Sequence, residues 1–138
     1  MDIASHLGDI NWLAVLVATI AAFAVGAIWY AKPVFGGKWM QEIGLTEEAA
    51  AQGNMPMVFG TTFVLQFIAA TALDLFLGPQ ANFWIGLHAG FLIGLIWIAT
   101  AYAITYLFEQ RTMRLFFINA GYYVVLYSIM GSILGAWN

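Results

Sequence analysis

Apolar runs at residues 10–31, 56–78, 83–108 and 115–137 alternate with three polar breaks along the chain. About 20 apolar residues span the hydrocarbon core of a bilayer, so each run is long enough to cross one. The first carries no charge at all. The pattern predicts an all-α, four-transmembrane-helix bundle, helices 1 to 4, forming a single membrane domain over residues 1–138 with no room for a soluble domain.

The breaks predict how the helices are joined. Lys32-Pro33-Val34-Phe35-Gly36-Gly37 ends helix 1, because proline disfavours helical geometry in the residue before it and the glycines permit a turn. Trp29, Tyr30 and Trp39 stand where amphipathic rings prefer the headgroup level. Residues 38–54 are the least apolar stretch. Thr46 reads there as an N-cap and Glu47 and Glu48 as the acidic first turn of a short helix, rather than as a catalytic pair. Trp39, Met40, Ile43 and Leu45 make this a short amphipathic segment that can lie on the membrane surface. Gly78-Pro79-Gln80-Ala81-Asn82 is a tight uncharged turn. The basic residues Lys32 and Lys38 follow helix 1, Arg111 and Arg114 follow helix 3, and the opposite turn and both termini have none. By the positive-inside rule both basic loops are cytoplasmic, and the N-terminus and C-terminus both lie outside.

Composition narrows the function classes. Residues are 63% hydrophobic and 8% charged, where a soluble domain has about 25% charged. With a net charge of -3 there is no basic surface for nucleic acid. The absence of cysteine removes disulfides, thiolate metal sites and cysteine nucleophiles. The N-terminus lacks the basic region of a cleavable signal, so helix 1 is expected to remain in the mature protein.

Small residues form ladders on three helices: Ala14, Ala18, Ala22 and Gly26 on helix 1, Gly86, Gly90 and Gly94 on helix 3, and Gly131 and Gly135 on helix 4. A residue every fourth position stacks on one face and lets a neighbouring backbone approach closely. Three such faces are more than a lone four-helix bundle requires, which suggests self-association or docking to another membrane subunit.

Ionisable groups within a span are functional candidates because they are costly there. Asp74 and His88 are the two, at similar depth on either side of the short turn between helices 2 and 3. As a pair they would form a proton- or cation-responsive site. The plainer alternatives are a structural hydrogen bond, or two side chains reaching separately for interfacial water. A midplane polar set, Gln66, Trp97 and Tyr127, reads as interhelical hydrogen bonding ahead of a solute site. Asn119 lies about one turn inside the basic end, where it can brace the turn carrying Glu109, Arg111 and Arg114. Those charges are expected to pair with each other or with lipid headgroups. Two histidines, His6 and His88, do not make a metal or haem site, and no catalytic constellation, metal or cofactor is expected. Trp97, Tyr102, Tyr122 and Tyr123 leave a lipid or pigment pocket open as a weaker reading. A faint internal duplication, Asn-Trp near the start of helix 1 and Asn-Phe-Trp at that of helix 3, has unequal spacings.

Ile10-Asn11-Trp12-Leu13-Ala14, Gly26-Ala27-Ile28-Trp29-Tyr30, Phe35-Gly36-Gly37-Lys38-Trp39-Met40, Tyr106-Leu107-Phe108-Glu109-Gln110-Arg111, Asn119-Ala120-Gly121-Tyr122 and Met130-Gly131-Ser132-Ile133-Leu134-Gly135-Ala136-Trp137 occur in order along nearly the whole chain. Together they resemble the small bacterial membrane proteins of the domain of unknown function 1761 family. The resemblance implies a four-helix membrane protein of the bacterial inner membrane, and it brings no catalytic or binding residues. Small multidrug exporters are similar in length, but their first-helix glutamate has no counterpart here. The signature of small fluoride channels is also missing. The expected role is therefore a non-enzymatic bundle whose partners are lipids and other subunits or itself. The rival is a small solute, ion or proton pathway through Asp74, His88 and Gln66.

Overall fold

The computed structural model describes residues 3–137; the side chains of Ile3 and His6 lie outside what is described, and with them any role of His6. Four long helices are present: helix 1 (Trp12–Trp29), helix 2 (Met55–Leu77), helix 3 (Phe83–Glu109) and helix 4 (Met113–Trp137), each long and apolar enough to cross a membrane. Asparagine side chains cap the first three. Asn11, Asn54 and Asn82 each accept from the amide three residues on, satisfying a group that the helix itself leaves unpaired. Between helices 1 and 2 lie two short helices, Gly37–Ile43 and Glu47–Ala51, the second capped by Thr46 as its sequence suggests. The chain leaves helix 1 through a wide turn, Lys32–Gly36, in which the Gly36 amide donates to the Ala31 carbonyl at 2.9 Å. Any side chain at Gly36 would strike the Tyr30 carbonyl, 2.2 Å from where a Cβ would sit.

Helix 4 is the centre of the bundle. It packs antiparallel against helices 1 and 3 on either side, while helix 2 leans mainly on helix 1. Among the described residues it supplies four of the six largest fully buried side chains, Leu115, Leu126, Met130 and Leu134, and helix 1 supplies the other two, Val15 and Thr19. The small-residue ladders face inward. A Cβ on Gly86 would lie 1.9 Å from the Gly131 carbonyl oxygen, one on Gly90 2.0 Å from that of Tyr127, and one on Gly135 2.2 Å from that of Asn82. Ala14, Ala18 and Ala22 are wholly buried, and Gly26 makes room for the Tyr122 hydroxyl. The expectation that these faces are surplus to the bundle is thereby corrected. They are in use within one chain, because a neighbouring backbone can come this close only where the facing position has no side chain.

Helix 3 is not α-helical throughout. Residues Ile93–Ala99 form a wide π segment. A π turn absorbs about one extra residue and so rotates the remainder of the helix by about 100° relative to a continuous α-helix. That rotation brings Tyr102 and Tyr106, which an unbroken helix would turn away from the Gly86–Gly94 face, back toward helix 4.

Candidate functional site

Five of the six tyrosines of the chain, Tyr30, Tyr102, Tyr106, Tyr122 and Tyr123, lie toward the basic-loop end, on helices 3 and 4 and at the end of helix 1. The Tyr30 hydroxyl donates to Asn119 Oδ1 at 2.7 Å, and Asn119 Nδ2 donates to the Tyr106 hydroxyl oxygen at 2.7 Å. One amide thus ties helix 1 to helix 3 through helix 4. Trp29 Nε1 donates to the Ile118 carbonyl at 2.8 Å. The rings pack edge to face or stacked, with centroids 5.3 Å apart for Tyr30 and Tyr122, 4.8 Å for Tyr122 and Tyr123 and 5.5 Å for Tyr102 and Tyr123. Such pairs add about 0.5–1.5 kcal/mol each beyond their buried area. Gln66 reaches this cluster from helix 2, its Nε2 donating to Tyr122 at 2.9 Å. Its Oε1 is buried and meets no donor among the described residues.

The expected pairs fare differently. Asp74 and His88 are not brought together. Asp74 is buried at 4% exposure and accepts from the Asn11 backbone amide at 3.2 Å, holding the start of helix 1 to the end of helix 2. His88 is exposed on the far side of helix 3 from the glycines, its Nδ1 2.7 Å from the Trp84 carbonyl of its own helix. The midplane set does not assemble either. Trp97 is 63% exposed on the outer face of helix 3, and Gln66 meets Tyr122 rather than Tyr127, whose backbone carbonyl abuts Gly90. The reason is rotational: equal depth along neighbouring helices says nothing about whether two side chains face each other.

At the basic-loop end two ion pairs form within a loop and a third joins the two loops. Lys32 bonds Glu47 and holds that carboxyl below its usual range through the hydrogen bond and the ammonium charge. Arg111 Nε lies 3.1 Å from Glu109, and Arg114 Nε 3.8 Å from Glu42. Lys38 is exposed. Glu42, which sequence reasoning passed over, also accepts from the Thr112 hydroxyl at 2.8 Å. It fastens the surface segment to the turn between helices 3 and 4. No sequence signal marked it, because its partners lie some 70 residues away.

The family described as "Protein of unknown function (DUF1761)" matches residues 13–135. No curated protein and no solved structure matches. The matched span takes in all four membrane helices and the aromatic cluster.

Proposed function

Because the chain belongs to the DUF1761 family, whose function is unknown, we propose its role from geometry: a non-enzymatic subunit of the bacterial inner membrane that associates laterally, with itself or with another membrane protein, through helix 2. The observation that carries this reading is Gly60. Every other glycine within the four long helices would place a Cβ within 3.3 Å of another group in the chain, whereas a Cβ at Gly60 would meet nothing within 4 Å. Glycine inside a helix is less favourable than alanine by about 1 kcal/mol. At the other positions close packing offsets that cost, and at Gly60 nothing among the described residues does.

Gly60 stands on a stripe with Met57, Val64 and Ile68, all exposed, on a half-helix whose Phe59 and Phe63 rings pack against Phe23. Small residues on an unpartnered membrane helix suit a second helix at close range. The orientation that accompanies this reading has both basic loops in the cytoplasm. The pathway alternative loses its support with the separation of Asp74 from His88. Because the chain has no cysteine, Thr61→Cys gives a single crosslinking site beside Gly60. Gentle extraction followed by sizing and crosslinking is expected to trap a dimer or a larger complex, which Gly60→Leu abolishes. A lone monomer with no crosslinked partner would sink the proposal.

A further inference from the structure

Helices 3 and 4 are in close contact along the glycine seam but draw apart toward the turn that joins them, leaving a groove of about 270 Å³ at the basic-loop end. Ala103, Leu107 and Phe116 give it apolar walls, and Tyr106, Gln110 and Arg111 its polar groups. The turn itself is strained. Gln110 adopts a left-handed conformation, φ 58°, that glycine would accept more readily, and the Arg111 amide closes the turn on the Tyr106 carbonyl at 3.0 Å. Arg111 is thereby set at the groove beside Tyr106.

Both groups present hydrogen-bond donors with no acceptor among the described residues. Tyr106 oxygen already accepts from Asn119, so its own hydrogen is left over, without an acceptor among the described residues. Reversing the Asn119 amide would instead leave the extra hydrogen on Tyr30, packed against Trp39 and Tyr122, which is the costlier place for it. Arg111 gives its Nε to Glu109, and its terminal nitrogens meet no partner among the described residues. A guanidinium and a phenol beside apolar walls fit an anionic head with a hydrocarbon tail. We propose that this groove binds the phosphate of an anionic phospholipid, with one acyl chain along Ala103, Leu107 and Phe116. The phosphate, rather than a free fatty carboxylate, is favoured by depth: the groove sits at the final turn of helix 3, at the level of lipid headgroups. This site is independent of lateral association through helix 2.

The test is native mass spectrometry and thermal unfolding of the whole chain with phosphatidylglycerol, with phosphatidylcholine and with palmitate. Phosphatidylglycerol should be retained and should raise Tm. Arg111→Gln and Tyr106→Phe should each weaken its binding about ten- to a hundredfold, the loss of one hydrogen bond to a charged group. Ala103→Leu should block the groove without touching a polar atom. Arg114→Gln, in the same turn but paired with Glu42, should change affinity less than about twofold. Tm in phosphatidylcholine checks that each variant folds; if Tyr106→Phe does not, Arg111→Gln and Ala103→Leu decide the matter. Equal losses for Arg111→Gln and Arg114→Gln would mean general attraction to a basic turn and overturn the site. So would indifference to Ala103→Leu, an absence of preference over phosphatidylcholine, or tighter binding of palmitate.

Discussion

Replacing Gly86 by alanine should loosen the contact on which helices 3 and 4 depend. The new methyl would lie 1.9 Å from the Gly131 carbonyl oxygen and 2.8 Å from its carbon, where real Cβ atoms come no closer than 3.0 Å, so the helices must part by at least about 1 Å. Both obstacles are backbone and cannot rotate aside. A gap of about 0.5–1 Å already forfeits a quarter to a half of the dispersion well for each atom pair, and the seam continues through Gly90 and Gly94. Overpacking of this kind costs about 1–3 kcal/mol, against which alanine regains about 1 kcal/mol of helix propensity. Because the obstacle is backbone, the cost falls in the upper half of that range, about 2–3 kcal/mol, and a net destabilisation of about 1–2 kcal/mol is expected. Gly60→Ala is the matched control: its methyl enters open space, so the solubilised monomer should gain up to about 1 kcal/mol. Unfolding in mixed micelles, followed by tryptophan fluorescence, reads both. Gly86→Ala at or above wild-type stability would refute the account of the seam.

Three further experiments probe the polar contacts. Asn119→Leu removes both bonds that link Tyr30 to Tyr106 and should lower stability by about 1–2 kcal/mol, at roughly 0.6–1 kcal/mol per bond, in the same unfolding assay. Gln66→Leu should change stability by no more than about 1 kcal/mol, because it discards an unmet carbonyl along with one hydrogen bond. A loss above about 3 kcal/mol would point instead to a strong unseen partner for that amide. A double-mutant cycle of Asp74→Asn with His88→Leu should give a coupling energy within about 0.5 kcal/mol of zero, as for residues that share no contact. Strong coupling would restore the pair that the geometry separates.

The positions of the four helices were legible to within two residues at each end, because length and continuous hydrophobicity suffice to specify a membrane span. The Thr46 cap was legible from local chemistry in the same way, whereas the caps at Asn11, Asn54 and Asn82 emerged only from the structure. Gly86, Gly90 and Gly94 stand out in the sequence as a close-packing face for the same reason: only glycine permits backbone approach. What covers that face was not legible. Its letters suggested a surface for another molecule, whereas Gly131 and Gly135 of the same chain occupy it.

By itself, then, the sequence determined that this is a four-span membrane protein, where each helix starts and stops, and which residues are small enough for close approach. Those properties depend on one segment and its solvent. The tertiary structure alone decided which faces meet: that helix 4 is central, that Asn119 joins Tyr30 to Tyr106, that Glu42 holds Thr112, and that Asp74 turns to Asn11 instead of His88. Facing depends on the rotation of each helix about its axis. One π turn at Ile93–Ala99 changes that rotation for everything after it, without altering a single hydrophobic position in the pattern.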